Sequence, residues 1–177
     1  EWYEEEPNGK SVTILRPTVI FGERNRGNVY NLLKTITSNK FRMIGKGLNK
    51  KSMAYAGNVV AFIKHRIKEA EPGYHIFNYA DKPDYTMVEL VSVIEKKMNI
   101  SLPSTKIPYW VGMLGGYAFD LTAFVTRKQL PISSVRVKKF CSTTQFDASK
   151  AHSLFEAPYT LDQGLDLTLE HEFIKPL

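Results

Sequence analysis

Ser11-Val12-Thr13-Ile14-Leu15-Arg16-Pro17-Thr18-Val19-Ile20-Phe21-Gly22 is the stretch on which the fold turns. Its first six residues are rich in β-branched side chains. Asn8-Gly9 precedes them and Pro17 follows, so they predict a short buried strand over 11–16. Pro17 removes a ladder donor and holds Arg16 in extended backbone, which ends the strand. Val19-Ile20-Phe21 predicts a second extended run stopped by Gly22, and 23–27 reads as a polar loop.

Outward from there, helical and extended patterns alternate. Asn28 is the expected cap of a helix through Leu32, Leu33 and Ile36 that ends near Asn39. Residues 41–44 and 52–56 read as extended runs flanking a Gly45-Lys46-Gly47 turn. Asn58 is the expected cap of a helix with the apolar stripe Val59, Val60, Phe62, Ile63 and Ile67, stopped by Pro72-Gly73. Residues 74–79 predict another strand. Thr86-Met87-Val88-Glu89 and Thr160-Leu161-Asp162-Gln163 are capping boxes, each opening a helix. Between them lie an apolar helix over about 108–125, a basic segment 127–139 and a strand-like run 141–146. This alternation predicts an α/β fold.

The composition, 43% hydrophobic and 24% charged over 177 residues, is that of a globular domain, or the larger part of one, with a real core. Cys141 is the single cysteine, which excludes an intrachain disulfide and a thiolate metal site and points to the reducing cytoplasm. The chain opens on Glu1-Trp2-Tyr3-Glu4-Glu5-Glu6, acidic where a signal peptide is basic and without Met, so its start reads as a cut through a helix. The net charge of +6 is unevenly placed: residues 9–68 hold 13 Lys or Arg against the single acid Glu23, and the remainder of the chain is net acidic. Such a face is either solvated or a funnel for a small anion. Nucleic acid is not the expected partner, because no RNP box, zinc finger or KH loop accompanies the charge.

Local chemistry narrows the classes further. His65, His75, His152 and His171 lack metal-ligand spacing, and no Gly-x-Ser-x-Gly elbow or Walker loop is present. Gly45-Lys46-Gly47 is followed by Lys50 where a dinucleotide turn needs its third glycine. The 19 mostly apolar residues 107–125 contain a Gly112…Gly116 pair but are interrupted by Pro108 and Asp120; they predict a buried or partly peripheral helix and no membrane span. Tyr30 and Lys34 have the Tyr-x-x-x-Lys spacing that lets an ammonium lower a phenol pKa on one helix face.

Several segments, in order, resemble the extended short-chain dehydrogenase/reductases that epimerise or dehydrate nucleotide sugars. Leu15-Arg16-Pro17-Thr18-Val19-Ile20-Phe21-Gly22 is similar to the strand and loop that follow the family's catalytic Tyr and Lys. Asn28-Val29-Tyr30 resembles the segment whose backbone faces the substrate diphosphate. Met43-Ile44-Gly45-Lys46-Gly47 and Lys51-Ser52-Met53-Ala54-Tyr55-Ala56-Gly57-Asn58-Val59 resemble the family's Gly-x-Gly turn and the stretch after it. Phe77-Asn78-Tyr79, Phe146-Asp147-Ala148-Ser149-Lys150-Ala151 and Tyr159-Thr160-Leu161-Asp162-Gln163-Gly164-Leu165 match its later strand and closing pattern. Tyr30 and Lys34 come after the Arg-Pro motif, whereas the family's catalytic pair comes before it, so they are a decoy.

The resemblance implies that residues 1–177 are the C-terminal part of an extended Rossmann-type dehydrogenase fold, with a small mixed substrate-binding domain, and that the dinucleotide-binding half is absent. It implies NAD (or NADP) in the complete enzyme and none bound to this piece, which alone is expected to be inactive. Pro17, Thr18 and Val19 would border the nicotinamide. Asn28, Val29, Lys51 and Arg136 or Lys138 would surround the diphosphate of a nucleotide-sugar substrate. No residue of the chain is expected to be catalytic, and a homodimer is expected. Val19, Lys51 and Asn58 stand where relatives often keep Asn, Arg and Asp, which leaves the substrate open. A reductase acting on an apolar substrate, or a non-catalytic module binding anions or nucleic acid, are the alternative functions.

Overall fold

The computed structural model describes residues 2–5, 9–128, 130 and 132–174. The elements are α1 (Trp2–Glu5), β1 (Ser11–Pro17), β2 (Val19–Phe21), α2 (Asn28–Thr37), β3 (Lys50–Tyr55), α3 (Ala56–Lys68), β4 (Gly73–Tyr79), β5 (Asp81–Thr86), α4 (Met87–Met98), α5 (Tyr109–Thr126), α6 (Ser134–Cys141), α7 (Ser149–His152) and α8 (Leu161–Leu169), closed by a π-helical turn at Glu170–Ile174. They form two compact units, Glu1–Lys34 with Ser52–Asp84 and Gln145–Leu177, and Thr35–Lys51 with Tyr85–Thr144.

In the first unit β1 pairs in parallel with β4, from Ser11 opposite Gly73 to Pro17 opposite Tyr79. Parallel pairing requires a crossover, and α3 is the last element of it. β2 pairs in parallel with β3, and β5 completes a second sheet in the order β2-β3-β5. β5 was not foreseen: Asp81-Lys82-Pro83-Asp84-Tyr85-Thr86 has no apolar alternation and contains a proline, which a strand tolerates at a sheet edge. The core gathers Ala54, Val59, Phe62, Phe77, Tyr79 and Ala151. Phe62 is its hub, with ring centroids 5.2 Å from Tyr79 and 5.4 Å from both Phe77 and Phe155.

Two expectations for α3 need correction. Asn58 does not cap it; Tyr55 is the N-cap residue, without a side-chain cap, because the Asn58 amide is engaged elsewhere. Only Val59 and Phe62 of the stripe are buried, while Val60, Ile63 and Ile67 are exposed. Among the described residues, Ile63 and Ile67 instead line an open groove of about 350 Å³ with Ser11, Thr13 and Leu15 of β1. β1 has no neighbour other than β4 there.

The second unit is helical. Thr86 Oγ1 accepts from the Glu89 N–H and the Glu89 carboxylate accepts from the Thr86 N–H, so the capping box of α4 is complete. Asn99 ends the helix in the left-handed conformation at φ 50°. The expected strands 41–44 and 141–146 are absent: Ile44 makes a single bridge to Ile107, Thr144 makes one to Lys51, and Cys141 ends α6. α5 is not a buried helix, since Gly116 is its only buried residue. It crosses α6 on its glycine face. A Cβ at Gly116 would lie 2.7 Å from Ser134 Cα and 2.8 Å from Ser134 N, and one at Gly112 would lie 2.7 Å from the Ile44 side chain. The Gly112…Gly116 pair therefore packs helix on helix inside the chain.

A matched pair of substitutions tests this crossing. Gly115 faces open space, so Gly115→Ala should stabilise the full-length protein by roughly 0.5–1 kcal/mol through helix propensity. Gly116→Ala must push α6 backbone away and should cost about 1–3 kcal/mol. Denaturant unfolding of both variants against wild type measures the difference in sign.

Candidate functional site

The second unit contains a cavity of about 360 Å³. Its floor is the Gly45-Lys46-Gly47 turn, in which both glycines have positive φ (73° and 72°). At Gly47 a side chain is also sterically excluded, because a Cβ would come within 2.7 Å of Val88. Lys46 from the turn and Lys138 from α6 are among the lining residues, joined by Ile44, Leu48, Asn49, Tyr109, Cys141 and Ser142. No acidic side chain is among the lining residues.

The wall formed by the end of α6 is fastened from β3 and the loop before it. Lys51 Nζ donates to the carbonyls of Lys139 at 2.8 Å and Ser142 at 2.5 Å, and Asn49 Nδ2 donates to the Phe140 carbonyl at 2.8 Å. These are the orphan acceptors at a helix C-terminus, where the dipole also favours a cation. Burial holds the Lys51 ammonium below its usual pKa, with the charge of the Cys141 thiolate opposing; burial pushes the Cys141 thiol up, with Lys51 opposing.

Lys51 therefore has its donors directed at α6, beside the cavity but not lining it, whereas Lys138 lines it. Arg136 is exposed in the first turn of α6, where its backbone N–H donates to Ser133 Oγ at 3.2 Å. These three belong to one unit. Asn28 and Val29 open α2 in the other unit, Asn28 exposed and Val29 buried. Pro17 ends β1, the Thr18 N–H donates to the Tyr79 carbonyl at 2.9 Å, and Val19 is exposed. The buried Thr18 hydroxyl has no hydrogen-bond partner among the described residues. Tyr30 stacks on Phe173 with centroids 5.4 Å apart, and its hydroxyl receives the Arg26 guanidinium, which suits packing.

A polar cluster that sequence reasoning missed lies in the first unit around Asp81. Its carboxylate accepts from the Tyr55 N–H at 2.6 Å, Asn58 Nδ2 at 3.0 Å and the Tyr79 hydroxyl at 3.1 Å. Asn58 also exchanges two hydrogen bonds with the Tyr159 backbone. Burial raises the Asp81 pKa, and the three donors oppose it; burial and the Asp81 carboxylate push the Tyr79 phenol far up. Lys46, Asn49, Tyr109 and Ser142 were not selected from sequence either. The signal available was the Gly45-Lys46-Gly47 turn, which reads as a turn and as part of the family resemblance but does not single out Lys46 as a ligand.

No protein-family model matches the chain. It is 59% identical over 175 residues, 98% of its own length and 53% of the relative's, to the N-acetyl-α-D-glucosaminyl-diphospho-ditrans,octacis-undecaprenol 4-epimerase of Escherichia coli O157:H7. A mouse sterol-4-α-carboxylate 3-dehydrogenase (decarboxylating) is 26% identical over 170 residues, 88% of this chain and 46% of the relative. Among solved structures, the UDP-glucuronic acid 4-epimerase of Bacillus cereus in complex with UDP-glucuronic acid and NAD aligns over 96% of this chain and 47% of its own, at a TM-score of 0.62 and 18% identity. The fold is thus that of part of a Rossmann-type sugar epimerase, and the chain spans about half the length of the relatives it matches. The chain belongs to the NAD-dependent epimerase/dehydratase family of extended short-chain dehydrogenase/reductases.

Two substitutions separate structural from catalytic roles. In Asn58→Asp a second carboxylate would replace an amide donor 3.0 Å from Asp81. Like charges raise the pKa of the pair above the unfolded value of about 3.9. Stability is then fully present below that value and lost as pH rises through the folded-state pKa. Unfolding at about pH 4 and pH 7 should show a steeper loss toward pH 7 than in wild type. Tyr30→Phe in the complete enzyme should keep turnover within a few fold, where loss of a general acid/base costs about 10²–10⁴.

Proposed function

We propose that the complete protein is a sugar epimerase whose substrate is carried on a diphosphate attached to a polyprenol, and that this chain supplies the site for the diphosphate. The observation behind this reading is the lining of the cavity: two lysines on opposing elements, no acid, and the apolar side chains of Ile44, Leu48 and Tyr109. Cationic donors match phosphate oxygens. The apolar walls suit a hydrocarbon carrier better than a ribose and base. The name of the Escherichia coli relative, at 59% identity, supports the same carrier. Nucleotide sugars are the second reading, favoured by the UDP-glucuronic acid bound in the Bacillus cereus structure.

Lys46 and Lys138 hold the diphosphate in this reading. Lys51 and Asn49 fix the end of α6 that presents Lys138, and Lys51 joins the cation set as the carbonyls it holds allow. Arg136, two residues before Lys138 on α6, is a further anion contact in the second unit, and Asn28 and Val29 are separate candidate ligands at the start of α2 in the first. Pro17, Thr18 and Val19 border the nicotinamide, and the unpartnered Thr18 hydroxyl fits a group arriving from outside this chain. No phosphate-cradling glycine turn occurs in these residues, so they fit one margin of NAD only. When bound to the complete protein, NAD supplies the oxidation and re-reduction at one sugar carbon. The groove along β1 and α3 is the seat of further secondary structure from the complete protein, which we take to be a cytoplasmic homodimer that does not bind nucleic acid.

The test is a Lys46→Ala/Lys138→Ala double variant of the full-length enzyme. Binding of a short-chain prenyl diphosphoryl sugar should weaken about ten- to a hundredfold, the size of a lost charge-assisted contact, with NAD affinity unchanged. Tighter wild-type binding of UDP-sugars than of the prenyl compound would favour the nucleotide carrier. Equal affinities of variant and wild type for both compounds would remove the cavity from the site.

A further inference from the structure

The geometry points to α5 as a surface that docks the protein on an anionic lipid bilayer, lying in the interface without crossing it. Trp110, Leu114, Tyr117, Leu121 and Phe124 follow the three-four spacing of one helix face. All five are exposed, Trp110 at 69% and Phe124 at 83%, and Val125 beside them is exposed at 72%. A stripe of large apolar and aromatic side chains facing water is unusual unless something covers it.

The rest of the helix is arranged so that nothing polar interrupts this face. The glycine face, Gly112 and Gly116, is closed against α6 and Ile44. The only charged residue of α5, Asp120, accepts from both the N–H and the hydroxyl of Ser134, so its carboxylate points to α6. Thr122 and Thr126 direct their hydroxyls to the helix carbonyls of Ala118 and Thr122. Trp and Tyr at the edge of an apolar stripe are the side chains that settle at the headgroup level of a bilayer.

Charge decides between a bilayer and a second protein surface. Residues 106–139 carry Lys106, Arg127, Lys128, Arg136, Lys138 and Lys139 against Asp120 alone, and Asp120 is already hydrogen-bonded. Lys106 precedes the helix, and Arg127 and Lys128 follow it, so both ends of the apolar face carry cations. Basic residues flanking an apolar face are attracted to anionic headgroups, whereas in a self-complementary dimer the same cations would face one another. None of the described helices is long and apolar enough to cross a membrane, so α5 lies on the surface. The carrier read for the diphosphate gives this docking a use, but the docking does not depend on it.

Flotation of the full-length protein with vesicles of phosphatidylethanolamine and phosphatidylglycerol, in the absence of sugar substrate, tests the surface separately from the reaction. Wild type should float with these vesicles, less with phosphatidylcholine alone, and less as salt is raised. Leu121→Glu/Phe124→Glu changes two exposed side chains and should lower vesicle partitioning at least about tenfold. Its turnover of a water-soluble short-chain substrate should stay at the wild-type level. Trp110 fluorescence in the wild type should be quenched by brominated lipids, with Trp110→Phe as the control, a readout that needs no folded charge variant. Flotation of the double variant equal to wild type, or no Trp110 quenching, would overturn the proposal. A double variant that turns from dimer to monomer while still floating would assign the face to a second copy of the chain instead.

Discussion

One buried carboxylate ties the first unit together. Asp81 sits at the turn from β4 into β5 and takes hydrogen bonds from the end of β3, from α3 and from the last residue of β4. An ionised carboxyl without donors would cost several kcal/mol at a site 2% exposed. With three donors in place, that penalty favours the arrangement of the strand ends and α3 in which the carboxyl is satisfied. Asn58 extends this preference to the segment before α8, because its amide donates to Asp81 and to the Tyr159 carbonyl while its oxygen receives the Tyr159 N–H. Hydrophobic packing around Phe62 provides most of the burial, and the polar cluster gives it a unique register.

In the second unit the constraint is steric. α5 can approach α6 closely only because residues 112 and 116 have no side chain. That close approach brings Tyr109 and Lys138, from different helices, to the walls of one cavity. It also fixes which side of α5 is left outward. The small face is consumed by packing, so the large apolar residues have no partner among the described residues. Exposed Leu and Phe side chains are retained at a solubility cost, and a role in contact with an apolar phase accounts for keeping them.

The strands and helices with strong local signals were legible. The 11–16 run with its Pro17 stop, the two capping boxes and the apolar 109–126 helix all appear within a residue or two of where pattern places them. β5 was not legible, because Asp81 to Thr86 is an edge strand fixed by its neighbours and not by its own propensity. Runs 41–44 and 141–146 have strand-like composition, yet each finds only one bridging partner. Part of the α3 stripe reads as core from its spacing, yet Ile63 and Ile67 face the open groove along β1. The cavity was partly visible as a glycine turn carrying a lysine. Lys51 stood out from the charge density, but nothing local reveals that its donors reach the carbonyls of residues 139 and 142, which are some ninety positions away. Asp81 escaped notice for the same reason: its donors come from three separate segments.

The proposed carrier bears on how the cavity of the second unit would act. The diphosphate and whatever it is attached to do not react, so contacts with them accelerate the chemistry only by orienting the sugar. A cavity lined by lysines from a helix end and a glycine turn would give such contacts from a scaffold that is already folded. Rigidity is what Lys51 and Asn49 add, since α6 would otherwise end in unsatisfied carbonyls and fray beside the site. For a carrier with a long hydrocarbon chain, extracting the whole lipid into water would cost about 0.8 kcal/mol per methylene. An enzyme resting on the bilayer avoids that cost by taking only the diphosphate and sugar out of the headgroup layer. In the proposed reading, the apolar surface of α5 and the lysine-lined cavity of the same unit serve one end: holding an anionic headgroup while its tail stays in lipid.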